Sequence, residues 1–328
     1  MNSPSPGVLR VAALELETLP TEAISRLKLD MVADGLGQPV RMPLLVARGR
    51  RPGPVLGITA AVHGNELNGI PVIHRLLAEL NLSRLRGAVV AAPVVNVPGL
   101  LEQRREFNDD RDLNHLFPGR ADGTGAQVWA RRFVDRVMGS LDYLVDLHTA
   151  SFGRVNSLYI RANLSKPVVS SMARLQNPQI IVHNPPADGT LRGAASAMGI
   201  PAITIELKDP HRFQRGIIKQ SVLGIRRLMA NLEMLPPARI PAVNEPPVIC
   251  RRSYWIYTPV GGLLTVLPEL TQRVEAGELI ARVTDIYGEL IHEHYAPEAG
   301  VVIGKSVNPV AQTGARLLHL GLVGEPEV

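Results

Sequence analysis

Apolar positions change period where residues 55–62 pass into residues 68–80. Val55, Leu56, Ile58 and Val62 form a nearly continuous apolar run, the pattern of a strand covered on both faces. From Asn68 onward Ile70, Ile73, Leu76, Leu77 and Leu80 recur at helical spacing. The same alternation continues along the chain. Residues 87–97 read as a second buried strand closed by Pro98-Gly99, and residues 143–147 as a third. Residues 126–138 predict a helix with Val128, Phe133, Val134 and Val137 at its apolar positions. Residues 180–182 and 202–205 predict further strands, and residues 216–232 a long helix. Alternating strands and helices argue for an α/β sheet with covered faces. Ahead of them, residues 1–50 read as a lead-in of short strands, with 42–46 strand-like and 49–54 a loop.

Residues 235–247 hold five prolines in thirteen positions and read as a linker. Beyond it come only short strands and turns, at Gly261-Gly262, Ala276-Gly277 and Glu298-Ala299-Gly300. The expected organisation is therefore a catalytic domain over residues 1–240 and a small all-β domain over residues 248–328.

Composition narrows the function. A chain of 328 residues, 45% hydrophobic and 20% charged, is globular and long enough for two domains. The formal charge of +5 is mostly arginine spread along the chain, which points to anionic small molecules rather than nucleic acid. Cys250 is the single cysteine, so no internal disulfide and no cysteine-based zinc knuckle can form, as in a reducing cytoplasm. The N-terminus lacks a basic segment followed by an apolar core, and no apolar run reaches about 18 residues, so neither a signal peptide nor a membrane span is expected.

The candidate chemistry sits at strand ends. His63-Gly64-Asn65-Glu66 falls where a strand hands over to a helix, the edge at which open α/β sheets place their sites. An imidazole and a carboxylate three positions apart can close on one divalent metal, with Gly64 allowing the tight turn between them. His148 ends the strand at 143–147 and supplies a third ligand. Two histidines and one glutamate form an open site with a fourth position for water, whereas structural zinc is normally closed by four protein ligands. Zinc in such a site lowers the pKa of a bound water to about 7 and polarises a carbonyl oxygen. Glu206, at another strand end, is placed to act as general base. Asp146, two residues before His148, reads as the polar end of its strand rather than as a group that orients the histidine.

His63-Gly64-Asn65-Glu66, Asp112-Leu113-Asn114, Phe117-Pro118-Gly119, Asp146-Leu147-His148 and Thr204-Ile205-Glu206 occur in this order. The set resembles the succinylglutamate desuccinylase/aspartoacylase family, zinc amidohydrolases built on the zinc carboxypeptidase fold. The resemblance covers residues 40–235. It implies a mixed sheet flanked by helices, a zinc ion on His63, Glu66 and His148, and Glu206 as the catalytic carboxylate. It also implies that Arg105, with Arg104 as its competitor, contacts the substrate oxygen or polarises the scissile carbonyl. Asn114 would help hold a substrate carboxylate. The chain departs from the family at His115, where an arginine that clamps a free carboxylate is usual. The expectation is that the substrate offers no free carboxylate at this position; Arg111 lies nearby as a substitute, though it reads first as a solvated loop arginine.

The C-terminal region resembles a barrel-sandwich module of the biotinyl/lipoyl type, through residues 274–280 and 296–302. The intervening hairpin, Thr284-Asp285-Ile286-Tyr287-Gly288-Glu289, has no lysine to carry a prosthetic group. Packing over the active site or assembly of subunits into a homo-oligomer is the expected role. Gly304-Lys305-Ser306 imitates the end of a phosphate-binding loop, but Ala299 stands where the earlier glycine is required. His292 and His294 share a strand face, read as exposed, and His74 reads as a helix-surface residue. No G-x-S-x-G elbow is present. The expected activity is hydrolysis of a small N-acyl amino acid or related amide. Two other readings stand beside it: a carboxypeptidase-like hydrolase of short or γ-glutamyl peptides, and a non-catalytic binding protein on the same fold.

Overall fold

The computed structural model describes residues 7–236 and 246–326. At its centre lies the strand Arg51–Ala60, parallel to Arg86–Ala92 on one side and to Tyr143–His148 on the other. Ala202–Leu207 continues the parallel set beside Tyr143–His148, and Leu158–Ala162 then runs antiparallel to it. The sheet is therefore mixed. Helices cover both faces, so most strand positions are apolar.

The period of two sorts the faces. Val145 and Leu147, Ile203, Ile205 and Leu207, and Leu158, Ile160 and Ala162 all enter one core. The helices Gly69–Ala78, Pro167–Leu175 and Arg215–Asn231 pack on that side through side chains such as Ile73, Met172 and Ile225. Each such buried aliphatic side chain contributes about 1.5–3 kcal/mol. The opposite face is covered by the helices Gly125–Arg136 and Leu191–Ala197, through Trp129, Phe133 and Leu191. On that face the intervening positions are Asp146 and His148, Thr204 and Glu206, Tyr159 and Arg161. Their polar side chains gather at one end of the sheet.

Several expectations change. The lead-in holds two long antiparallel strands, Ala23–Ala33 and Pro39–Arg48, which extend the sheet. Leu27, Leu29 and Met31 are buried at alternate positions along the first of them. Residues 51–54 belong to the central strand rather than to a loop. Residues 237–245 of the proline-rich stretch lie outside the described residues. After it the chain returns as Val248–Tyr257, which pairs with Ile180–His183, so the large sheet runs on through Arg316–Val323 and Gly300–Ser306. Cys250 lies buried on this strand, and burial pushes its thiol up to about 12. A four-stranded antiparallel sheet completes the region, and its Ile280 and Val283 share an apolar cluster with Leu317 of the strand Arg316–Val323.

The strand Leu290–Tyr295 corrects another expectation. His294 is buried against this cluster's sheet, and His292 meets it edge-on with ring centroids 4.6 Å apart. Lys305 is on the strand Gly300–Ser306 and donates to the carbonyl of Pro268 at 2.9 Å, so it is no phosphate-loop lysine. No helix among the described residues is long and apolar enough to cross a membrane.

Gly64 is needed for space rather than for an unusual backbone angle. A Cβ there would stand 2.0 Å from the Gly99 carbonyl carbon. The turn carrying His63 and Glu66 thus rests directly on the backbone after Asn96, which caps residues 97–101 by accepting from Gly99 N–H. Gly64→Ala is expected to destabilise the protein by about 1–3 kcal/mol, as overpacking does. A denaturant midpoint equal to that of the parent would show that the two backbones separate freely.

Candidate active site

The central strand ends at Ala60, and the chain turns before the helix Gly69–Ala78 begins. That turn buries His63 and Glu66, which are 3% and 2% exposed. Tyr143–His148 delivers His148 beside them, also buried. One ligand atom from each of the three lies within 4.8 Å of the others, so this group could hold a metal ion.

The hydrogen bonds define which atoms are available. His148 places Nε2 2.7 Å from Asp146 Oδ2, and His63 places Nε2 3.0 Å from Asp112 Oδ1. Both rings therefore turn Nδ1 toward Glu66, whose Oε2 is 2.9 Å from His148 Nδ1. His63 Nδ1 is 2.9 Å from Glu66 Oε1 yet makes no aligned hydrogen bond. A buried ring nitrogen left without a hydrogen bond fits a metal ligand, and the carboxylate behind each ring fixes its orientation. Asp146 is thus more than the polar end of its strand. The strand stays regular through Leu147, so Asp146 and His148 share a face, and Thr59 donates to the other carboxylate oxygen at 2.7 Å. Asp146→Asn is expected to weaken metal binding about 10–100-fold. Competition with a chelating dye measures this, and unchanged affinity would return Asp146 to a purely structural role.

Charge is strongly coupled in this cluster. Burial alone would raise the Glu66 carboxyl, but the His63 charge and the hydrogen bond from His148 hold it well below the usual carboxylate range. Burial would lower His148, and the adjacent Asp146 outweighs it and raises the imidazole well above its ordinary value.

Glu206 is the direct register partner of His148 on the neighbouring strand, so its carboxylate emerges beside the histidine. It accepts from Arg161 Nε and Asn156 Nδ2, each at 3.3 Å. Arg105 reaches in from the loop: it donates to Asp112 Oδ2 at 2.9 Å and to Glu66 Oε1 at 3.1 Å. Arg104 turns away, bound to Glu102 at 2.7 Å and to Asp110. Asn114 lines the pocket, and its Oδ1 accepts from Leu191 N–H at 2.8 Å. His115 lies at the rim with its side chain 71% exposed, 3.7 Å from Asp112. Arg111 is exposed and does not line the pocket, which removes it as the substitute clamp.

Other contributors went unread in the sequence. Asp112 joins His63 to Arg105. Tyr159 and Arg161 come from Leu158–Ala162, a five-residue strand whose apolar–polar alternation is legible once looked for. Arg192 opens the helix Leu191–Ala197. Trp255 and Arg316 come from C-terminal strands, with Arg154 and Arg316 over the indole at 5.8 and 5.4 Å. No local signal marks those two positions. Together these groups enclose a cavity of about 390 Å³.

A mixed sheet thus gathers two carboxylate-backed histidines, a buried glutamate and a further carboxylate at one edge, a group that could hold a metal ion in an α/β protein of the hydrolase class. The chain belongs to the succinylglutamate desuccinylase/aspartoacylase family, whose catalytic-domain model matches residues 52–232. It is similar to the N-alpha-acetyl-L-2,4-diaminobutyric acid deacetylase of Halomonas elongata, with 32% identity over 111 residues, 34% of this chain and 32% of that protein. It is also similar to the succinylglutamate desuccinylase of Pseudomonas paraeruginosa, with 28% identity over 192 residues, 54% of this chain and 56% of that protein. The matched parts thus span about a third and about half of those relatives. The fold is shared with the product-bound ectoine utilization protein EutE (DoeB) from Ruegeria pomeroyi, at a TM-score of 0.83 and 23% identity over 93% of this chain and 98% of that one.

Proposed function

We propose that this protein is a zinc-dependent amide hydrolase that releases the acyl group of a small N-acyl amino acid or related amide. One observation carries the reading: the His63, Glu66 and His148 ligand atoms converge within 4.8 Å on the floor of a cavity that Glu206 and Arg105 also line. The donor set suits zinc, two neutral imidazole nitrogens and a carboxylate being its usual partners in open sites. When bound there, zinc would polarise the scissile carbonyl and acidify water.

The chain's own residues then have separate tasks. Glu206 accepts a proton from the attacking water and returns it to the leaving nitrogen. Asn156 and Arg161 hold that carboxylate in place from both oxygens. Arg105 is pinned by Asp112, which leaves its guanidinium beside the cluster to meet negative charge developing on the carbonyl oxygen. The indole of Trp255 and the Arg316 side chain close the far wall. A cavity of about 390 Å³ suits a small amide better than a peptide. The two named relatives, a deacetylase and a desuccinylase of amino acids, support the same substrate class.

On this reading, residues 1–240 form the catalytic domain, residues 248–328 the β domain that walls the pocket, and the single cysteine suits a cytoplasmic enzyme. Metal analysis combined with turnover on a panel of acetyl, succinyl and γ-glutamyl amides tests the proposal. Stoichiometric zinc with hydrolysis of acyl amino acids is the expected result. Zinc without turnover on any amide would favour a binding protein, and preference for γ-glutamyl peptides would favour the carboxypeptidase-like reading.

A further inference from the structure

Gly304-Lys305-Ser306, which imitate a phosphate loop in the sequence, have a different place in the fold. They pair antiparallel with the short strand Arg154–Asn156: Gly304 lies opposite Asn156, Lys305 opposite Val155 and Ser306 opposite Arg154. Both ends of that short strand line the cavity, and Asn156 does so beside Glu206. The register is fixed just past Asn156 as well, since Ser157 N–H and Oγ both donate to the Ile303 carbonyl, at 2.8 and 3.0 Å. A strand of the C-terminal region therefore supports the backbone on which two cavity residues stand.

Asn156 is buried, and its two amide atoms have different surroundings. Nδ2 donates to Glu206 Oε2 at 3.3 Å. Oδ1 accepts no hydrogen bond among the described residues. It lies instead against the bare backbone of Gly304, where a Cβ would collide with it. This orientation has a chemical reason. An ionised carboxylate offers only acceptors, so only the NH₂ side of the amide can face Glu206, and the amide oxygen has to face the other way. An unpaired buried acceptor is costly, but turning the amide over would set its oxygen against the carboxylate. Gly304 is not among the glycines with a left-handed backbone angle. Space for the Asn156 oxygen is what calls for glycine there. The next contact of a Cβ, the Val155 carbonyl oxygen at 3.1 Å, needs a shift of only a few tenths of an ångström.

We propose that Gly304 is a positioning residue for the reaction: it leaves room for the Asn156 amide, Asn156 in turn holds Glu206, and the strand Gly300–Ser306 is thereby part of the framework of the active site. Glu206 is tied at both oxygens, through Oε1 to Arg161 and through Oε2 to Asn156. With the Asn156 tie lost, the carboxylate can swing about its arginine contact. A general base that is free to swing spends less time within hydrogen-bond reach of the proton it must take. The proposal deepens the amide-hydrolase reading and rests on it for the role of Glu206. The packing of Gly304 against Asn156 does not depend on turnover.

A double-substitution cycle tests this on the full chain loaded with zinc, with N-acetyl- and N-succinyl-L-amino acids as substrates. Asn156→Ala is expected to lower kcat about tenfold, the worth of a hydrogen bond to a charged group, with KM nearly unchanged. Asn156→Asp, which keeps the shape and loses the donor, should lower it at least as far. Gly304→Ala should lower kcat to a similar degree, with metal retained and a reduced melting temperature. The deciding variant carries both Gly304→Ala and Asn156→Ala. If the glycine acts through the amide, the kcat of this variant lies within about twofold of Asn156→Ala alone, and its melting temperature is above that of Gly304→Ala. A purely structural glycine gives the opposite pattern, in which the losses multiply toward about a hundredfold and the melting temperature falls further. That pattern overturns the proposal, as does an unchanged kcat in Asn156→Ala or in Gly304→Ala. If Gly304→Ala does not fold, recovery of folding in the double variant supports the proposal; failure there places the obstruction on the backbone and overturns it. Failure of the hydrolase reading looks different: no turnover in the parent, or full turnover in Glu206→Gln, with the melting-temperature coupling still present.

Discussion

Alanine at His63 or at His148 is expected to abolish the binding of the one zinc per chain that we propose for this site. Each substitution leaves one imidazole and Glu66, and two donors rarely hold zinc against buffer and competing chelators. The loss should reach beyond the missing bond. His63 also joins Asp112 to the cluster, and Asp112 in turn pins Arg105. His148 is the group through which Asp146 acts. Metal content by mass spectrometry, on protein shown to be folded by circular dichroism, measures the effect. Full occupancy in both variants would move the metal elsewhere, and the adjacent His292 and His294 would be the next place to look.

Glu206→Gln should lower turnover by about 10²–10⁴-fold while zinc stays bound, the usual worth of a general acid–base group. The substitution keeps size and leaves one oxygen to accept from Arg161 or Asn156. It removes the capacity to carry a proton between water and leaving nitrogen. Because Arg161 is bound by this carboxylate, part of any loss could come through positioning. A fall in kcat with little change in KM and full metal content points to the proton transfer. Turnover near that of the parent would exclude Glu206 from the chemistry, and loss of metal in this variant would place it among the ligands instead.

Much of the site was legible because it is local. His63 and Glu66 share one turn, and the change from strand to helical period announces that turn. His148 and Glu206 each end an apolar run, and strands in a parallel set bring their ends to one edge. The contact of Asp146 with His148 is not legible locally, because it depends on whether the strand remains regular to its last residue. Tyr159 and Arg161 were missed because their strand is short and sits between two loops. The choice between Arg104 and Arg105 had no local answer. Adjacent side chains diverge, and what separates them is which one finds Glu102 and Asp110 and which finds Asp112 and Glu66.

The type of fold, and the strand ends that bring His63, Glu66 and His148 together as a group that could hold a metal ion, are legible in the sequence. Those features follow from hydrophobic period and from residue types a few positions apart, which act within one element and its turn. The rest of the cavity depends on long-range packing. Arg192 is brought to the cavity by hydrogen bonds between distant loops, from Leu191 N–H to the Asn114 side-chain oxygen and from Phe117 N–H to the Gly189 carbonyl. Trp255 and Arg316 arrive because the large sheet continues past the proline-rich stretch and folds its last strands beside Ile180–His183. Such contacts are set by strand pairing and packing between segments far apart in the chain, and no local pattern of residues encodes them.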